Sequence, residues 1–254
     1  MKGPEARPST RVPKASDVLA NTLKVRILSE GLRAGERLPS EAQLIEEYQF
    51  SRGTVREALR MLESDGLVRV RRGPHGGIEV ASPDASRVTR SLAVLFAFDR
   101  TPMLDLVDFR LVVEPGAAAM AARDATLEQR QKLLDTVKSE ANDTVQHSLQ
   151  FHRELGVATN NGFMRTILTA LHAVLEWQTK PQILSDYDQA ESGAAHLAIA
   201  KAVSAGHATK AERLMREHLE QFRQVLEREG RLDDPIVPRP DADSAIQMPS
   251  SAWY

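Results

Sequence analysis

The 254-residue chain has no cysteine, and only 5% of its residues are aromatic. Without cysteine neither a disulfide framework nor a thiolate metal site can form, which suits a reducing cytosol. No uninterrupted apolar run is long enough to span a bilayer, and the first residues lack the apolar core of a signal peptide. These absences predict a soluble cytoplasmic protein without a membrane partner.

The composition indicates a folded, largely helical protein. Hydrophobic residues make up 42% of the chain and charged residues 27%, and alanine and leucine are abundant. The net charge of −2 hides an asymmetry: residues 1–82 hold 14 Lys/Arg against 11 Asp/Glu, and residues 83–254 hold 19 against 24. A locally basic part on a nearly neutral chain favours polyanion binding by the N-terminal part.

Three short helices are predicted in the N-terminal part. Apolar residues at helical spacing mark the first, which ends near Gly31. Ser40 and Gln43 form a capping box that begins a second helix over 41–48. Ser51 caps a third helix, whose apolar face is followed by a glycine stop.

A hairpin follows the three helices. Residues 67–71 and 78–80 alternate apolar and polar positions, as strands do, around the turn Gly-Pro-His-Gly-Gly. Three helices and a hairpin predict a winged helix-turn-helix domain over 15–82. The polar, proline-rich residues 1–14 predict a flexible arm before it.

The residues after the hairpin have mainly helical periodicity. We expect an all-α antiparallel bundle of about six to seven helices over 83–230, so the fold class is mainly α. The predicted helices are 85–98, 102–123, 126–137, 143–159, 163–178, 188–205 and 208–229. Residues 231–254 lose helical periodicity and gain proline and aspartate, which predicts a flexible tail.

The third helix and the hairpin have the residues that a DNA-reading element needs. Arg52, Gly53 and Thr54 lie in the first helical turn, where short and polar side chains can approach base edges, and Arg56 follows one turn later. The slim hairpin tip suits a minor groove, and its arginines suit phosphates. The candidate DNA-binding residues are Ser40, Ser51, Arg52, Gly53, Thr54, Arg56, Arg71, Arg72, His75 and Gly76.

The stretch GERLPSEAQLIEEYQFSRGTVREALRMLESDGLVRVRRG closely resembles the DNA-binding domain of the GntR family of bacterial transcription regulators. The resemblance implies recognition-helix contacts at Arg52, Thr54 and Arg56, and wing-tip contacts at His75 and Gly76. Ala42 stands where many members have an arginine after LPSE. One DNA contact of the family is therefore absent, which implies a different operator preference.

Four polar residues of the C-terminal part fall on apolar helix faces. Arg110 shares its face with leucine and valine residues, and Glu114, four residues on, can pair with it. His152, His196 and His218 lie on apolar faces of three separate helices. Each histidine alone suits a packed core position, but three in one bundle favour a metal site, because imidazole is a common ligand of Zn²⁺ and related ions.

The stretches DFRLVVEPGAAAMAA, FHRELGVATNN and AAHLAIAKAV resemble the FCD effector-binding domain of the FadR subgroup of GntR regulators. This resemblance implies a divalent metal (Zn, Ni or Mn) at His152, His196 and His218. It also implies a small carboxylate effector, assisted by Arg110 and by Asn161 or its neighbour Asn160.

The family pattern has an aspartate ligand four residues before the first histidine, where this chain has Ser148. Three outcomes remain open: a three-histidine site with an extra open position, a weaker metal site, or an effector pocket without metal. Ser148 is kept with Arg110 and Asn161 as a candidate effector-binding residue.

The leading hypothesis is a ligand-responsive transcription regulator, acting as a repressor and not as an enzyme. A homodimer on a palindromic operator is expected, because one recognition helix reads too few base pairs for operator-level specificity. The rival hypothesis, a metal-dependent hydrolase, lacks a well-placed general base and a nucleophile motif, and it leaves the N-terminal domain unexplained.

Overall fold

The computed structural model describes residues 13–71, 73, 76–139, 145–176 and 186–237. The chain divides into two compact units between Asp84 and Ala85. The sequence predicts this boundary between residues 82 and 83. None of the helices in the described ranges is both long and apolar enough to cross a membrane.

The first unit has the predicted winged helix-turn-helix architecture. Its elements in chain order are α1 (Ala15–Ser29), β1 (Arg37–Leu38), α2 (Glu41–Tyr48), α3 (Arg52–Ser64), β2 (Val68–Arg71) and β3 (Gly77–Val80). The strands form an antiparallel sheet in the order β1-β3-β2. The short β1 was not predicted, because two residues are too few for an alternating pattern to be recognised.

Local signals account for α2 and α3. The Ser40–Gln43 capping box is present in both directions, and the Ser51 side chain accepts a hydrogen bond from the Thr54 backbone N–H. The apolar face of α3 lies in the core of the unit and consists of Val55, Ala58, Leu59 and Leu62. Because this face is buried, the other side of α3 presents its arginines to solvent.

In the described part of the second unit, seven helices and no strand longer than a single bridge are found, which confirms a mainly α fold. They are α4 (Ser86–Asp99), α5 (Met103–Asp124), α6 (Leu127–Ser139), α7 (Val145–Ala158), α8 (Gly162–Glu176), α9 (Asp186–Ser204) and α10 (Ala208–Arg228). A capping box formed by Thr126 and Gln129 begins α6.

Helix α5 occupies the centre of this unit. It packs against α7, α9 and α10, and its buried positions include both apolar residues and the pair Arg110 and Glu114. Apolar clusters lie on both sides of it, one around Phe151 and Ile199 and the other around Val107. Polar side chains of α5 therefore point into a region from which water is largely excluded.

Residues 231–237 differ from the predicted flexible tail. The Ile236 side chain is 1% exposed, and its backbone N–H donates to the Thr101 carbonyl at 2.8 Å. Pro235 forms a β-bridge with Pro102 at the start of α5. Because this docking depends on contacts with a segment about 130 residues earlier in the chain, local composition does not reveal it. Residues 238–254 lie outside the described residues.

Candidate functional site

The N-terminal end of α3 is exposed and well ordered by its cap. The Ser51 Oγ lies 3.1 Å from the Thr54 backbone N–H and 2.9 Å from the Thr54 Oγ1. Arg52 and Gly53 are exposed beside this cap. A groove-binding helix needs such a rigid start with small and cationic groups directed outward.

Arg56 lies close to the second helix. Its Nε is 4.0 Å from the Glu41 Oε1 near the start of α2, and half of its side chain remains exposed. Ser40, the cap of α2, is also exposed. The starts of α2 and α3 thus offer hydroxyl, guanidinium and backbone N–H groups, which are the groups that contact phosphates in DNA complexes.

The sheet of the wing presents arginines around one acid. Glu79 of β3 pairs in register with Arg69 on β2 and Arg37 on β1, and its Oε2 lies 3.4 Å from the Arg71 Nε. All three arginines are exposed. This arrangement holds cations apart on one face, as contacts to successive phosphates require.

The wing tip is described only in part. The Gly76 backbone N–H donates to the Gly73 carbonyl at 2.9 Å, which closes the turn, and Gly73 has a φ of 108°, a value that favours glycine. The predicted DNA-binding residues Arg72 and His75 lie outside the described residues.

The second unit contains a buried polar cluster, which we name the histidine cluster. Each of its members is at most 6% exposed, although all are polar or charged. Two come from α5, and one each comes from α7, α8, α9 and α10. The members are Arg110, Glu114, His152, His172, His196 and His218.

Arg110 makes two contacts within the cluster. Its Nε lies 2.6 Å from the Glu114 Oε1, which is the pair that the sequence predicts, and its Nη2 lies 3.0 Å from the His152 Nε2. Its guanidinium carbon also lies 5.4 Å from the centre of the Phe222 ring. The buried arginine charge is thus neutralised by Glu114 and packed against an aromatic face.

The structure brings together the three histidines predicted as metal ligands. One ring nitrogen from each of His152, His196 and His218 lies within 4.8 Å of the others. The Nε2 atoms of His196 and His218 are 3.1 Å apart. Two imidazole ligands of one zinc ion lie about 3.3 Å apart, because Zn–N bonds of about 2.0–2.1 Å meet at a tetrahedral angle. The histidine nitrogens therefore fit a transition-metal ion.

Burial makes these imidazoles neutral, which is the form that binds metals. It lowers the pKa of His196 to about 3 and lowers the pKa values of His152 and His218 well below the usual range. Burial would raise the pKa of Glu114, but the Arg110 guanidinium together with His152 and His172 outweighs burial and holds this pKa well below its usual range. The cluster thus contains one carboxylate and one guanidinium at neutral pH.

A second group of three donors contains Glu114 and His172. Glu114, His152 and His172 also place possible ligand atoms within 4.8 Å of one another. The Glu114 Oε2 lies 2.5 Å from the His152 Nδ1, and the Glu114 Oε1 lies 3.4 Å from the His172 Nε2. The sequence pairs Glu114 only with Arg110 and gives His172 no ligand role. Their helical faces point inward, but which groups meet there depends on helix packing.

Ser148 and Asn161 occupy less buried positions. Ser148 is half-buried on α7, one helical turn before His152. The Asn161 Oδ1 accepts hydrogen bonds from the backbone N–H groups of Phe163 and Met164, so this oxygen caps α8. Asn160 links α6 to the end of α7 through Gln129. The asparagine side chains therefore have structural contacts in addition to the proposed effector role.

Comparisons with known proteins place this geometry in a family. Residues 15–80 match the model of bacterial regulatory proteins of the gntR family, and residues 105–221 match the FCD domain. The chain is 30% identical over 226 residues to the Uxu operon transcriptional regulator of Escherichia coli (strain K12), covering 82% of this chain and 85% of that protein. The chain belongs to the GntR family.

Other GntR proteins support the same assignment. The HTH-type transcriptional repressor NanR of Enterobacter sp. (strain 638) is 29% identical over 229 residues, covering 84% of this chain and 85% of that protein. The solved structure of Streptococcus agalactiae GntR matches with a TM-score of 0.62 and 25% identity, covering 82% of this chain and 99% of that chain. The protein is a ligand-responsive, DNA-binding transcription regulator of the FadR type, with an FCD domain that follows the winged helix.

Proposed function

We propose that the protein is a repressor that binds a palindromic operator as a homodimer and responds to a small carboxylate held at a divalent metal. The observation that carries this proposal is the convergence of His152, His196 and His218 from three helices in a buried site. Imidazole ligands suit Zn²⁺ and Ni²⁺ well and bind Mn²⁺ more weakly.

The three histidines would hold the metal through neutral ring nitrogens. Bound there, the metal would supply a Lewis-acid site for a carboxylate oxygen. Arg110 reaches the same site through its contact with His152, and its planar guanidinium can orient a carboxylate. Ser148 stands where the family pattern has an acidic ligand, so the protein would supply one ligand fewer and leave that place to the effector or to water.

A homodimer is supported by an exposed apolar face on α4. Val94, Leu95 and Phe98 lie on one side of this helix and are 53%, 55% and 81% exposed, whereas Ala93 faces the core. A contiguous apolar face of this kind is expected at a protein–protein contact. Two winged helices in one dimer would read the two halves of a palindromic operator.

Coupling between the two sites requires only that the effector bind differently to DNA-competent and DNA-incompetent states. The experiment is a mobility shift with the protein's own promoter region, with Zn²⁺, Ni²⁺ or Mn²⁺ and a panel of small carboxylates. We expect an acid that releases DNA only in the presence of a metal, and loss of this response in His196→Ala. A DNA shift that no acid or metal changes would contradict the proposal.

A metal-free effector pocket is the second candidate. It is favoured by one observation: the Arg110 guanidinium itself contacts the His152 Nε2, where a metal would otherwise bind. Elemental analysis of the purified protein, before and after dialysis against a chelator, distinguishes the two. An acid response that survives complete metal removal would favour the metal-free pocket.

A further inference from the structure

Glu114 contacts Arg110, His152 and His172 of the histidine cluster and is fully buried. Building on the proposed metal centre, we propose that Glu114 is a positioning residue for the metal. By this proposal Glu114 orients the His152 ring and fixes its tautomer. It also supplies negative charge behind the ligand His152, which compensates for the carboxylate that is missing at Ser148.

Two independent contacts define the tautomer of His152. The Glu114 carboxylate is negatively charged, so its Oε2 at 2.5 Å from the His152 Nδ1 favours a proton on Nδ1 over a lone pair there. A guanidinium can only donate, so the Arg110 Nη2 at 3.0 Å requires a lone pair on the His152 Nε2. Both contacts therefore select the same neutral form, in which Nε2 carries the lone pair that a metal would bind in place of the Arg110 contact.

The short contact between Glu114 and His152 also indicates that Glu114 does not share a metal ion with the His152 Nδ1. Two ligand atoms of one ion lie about 3.0–3.4 Å apart, because each bond is about 2.0–2.2 Å long. The 2.5 Å between Glu114 Oε2 and His152 Nδ1 is too short for an ion that both atoms coordinate. The two atoms do not meet the geometry of a hydrogen bond. The contact is electrostatic, and Glu114 acts through His152.

His172 restrains the same ring from one side. The rings of His152 and His172 stack with centres 5.0 Å apart and planes 2° from parallel. The His172 Nδ1 lies 2.7 Å from the Leu168 carbonyl, which anchors the ring to its own helix. With a carboxylate at Nδ1 and a ring stacked on its face, the His152 imidazole has little freedom to rotate.

The charge of the cluster supports the second part of the proposal. Among the described members of the histidine cluster, Glu114 is the only carboxylate, and Arg110 already neutralises it. A divalent cation adds buried positive charge, which is costly without a nearby anion. Ser148 is four residues before His152, so an aspartate there would face the same site. A carboxylate at either position lowers the cost of binding the cation.

The experiment measures Zn²⁺ affinity of the full-length protein, stripped with a chelator, by competition with a chromophoric chelator. Glu114→Gln should weaken Zn²⁺ binding about 10- to 100-fold, as loss of a carboxylate behind a histidine ligand usually does. Ser148→Asp in that background should restore most of the affinity. Wild-type affinity in a folded Glu114→Gln variant would overturn the proposal, and so would failure of Ser148→Asp to raise the affinity.

Glu114→Gln leaves the Arg110 charge unpaired and can impair folding, so a second measurement uses the wild-type protein. Long-range ¹H–¹⁵N NMR of the histidine rings identifies which nitrogen of His152 carries the proton. We expect a protonated Nδ1 in the metal-free protein and the same form with Zn²⁺ bound. A protonated Nε2 would overturn the role of Glu114.

The two measurements separate the failure of this inference from the failure of the proposed function. Wild-type protein should bind one Zn²⁺ per chain, and His196→Ala should abolish it. Absence of Zn²⁺ binding would overturn the proposed metal centre and the charge argument with it. In that case, NMR of the metal-free protein would still show whether the His152 Nδ1 carries the proton, and therefore whether Glu114 positions His152.

Discussion

The Nε2 of His196 lies 3.1 Å from the Nε2 of His218 in the interior of the helical unit. Because both rings are neutral, one nitrogen can donate and the other accept. Protonation of both rings would place two N–H donors face to face and add charge to a buried site. The stability of the metal-free protein should therefore depend on pH.

The free energy of unfolding should fall as the pH is lowered from 7.5 to 5.5. Burial lowers the pKa of His196 from 6.5 to about 3, so the unfolded chain binds a proton in this window and the folded chain does not. Stability is therefore full above about pH 6.5 and is lost towards pH 3. His196 accounts for a loss of about 1.4 kcal/mol between pH 7.5 and pH 5.5. Urea unfolding of the chelator-stripped protein measures the change.

Two variants test the source of this pH dependence. His196→Gln should reduce the loss of stability between pH 7.5 and 5.5, whereas His207→Gln should leave it unchanged, because His207 is exposed. The same pH dependence in His196→Gln as in the wild type would contradict the assignment.

Arg52→Ala should reduce operator affinity by about 1–3 kcal/mol and weaken discrimination against unrelated DNA. Arg52 is exposed at the start of α3, where side chains reach base edges. Mobility shifts with operator and scrambled duplexes at one salt concentration measure both effects. Arg60→Ala is the control, because Arg60 lies two turns later on the same helix beside Glu57. Equal losses in the two variants would count against base reading by Arg52.

Gly53→Ala should weaken DNA binding without destabilising the fold. A Cβ at Gly53 would meet only the Ser51 Oγ at 3.8 Å, an ordinary contact, and alanine favours helix by up to about 1 kcal/mol over glycine. Gly116→Ala on α5 is a matched control, since a Cβ there meets nothing within 4 Å. Thermal melting should be unchanged or higher for both variants, and operator binding should fall only for Gly53→Ala. Unchanged binding by Gly53→Ala would show that the helix start does not approach DNA closely.

Phe98→Asp should shift the protein from dimer to monomer in light scattering and lower its operator affinity. Phe98 is 81% exposed on the apolar face of α4, where a carboxylate would be buried if this face pairs with a second copy. Leu127→Asp, at an 86% exposed position on α6, should leave the dimer intact. A wild-type mass for Phe98→Asp would place the interface elsewhere.

Local chemistry made the helices predictable. The capping box at Ser40 and Gln43 begins α2 at the predicted residue, because a capped helix start depends on side chains only three residues apart. Strand β1 and residues 231–237 were not predicted. Arg37 pairs with Glu79, and Pro235 pairs with Pro102, so both features depend on partners that are distant in sequence.

The sequence by itself determined the mainly α fold class, the winged helix and the inward faces of Arg110, His152, His196 and His218, because periodicity and capping are local properties of the chain. Only the tertiary structure decided that Glu114 and His172 join these residues. A helical pattern states which face is buried, but the packing of α5 against α7, α9 and α10 decides which buried faces meet. The distance between Glu114 and His152 is a consequence of that packing.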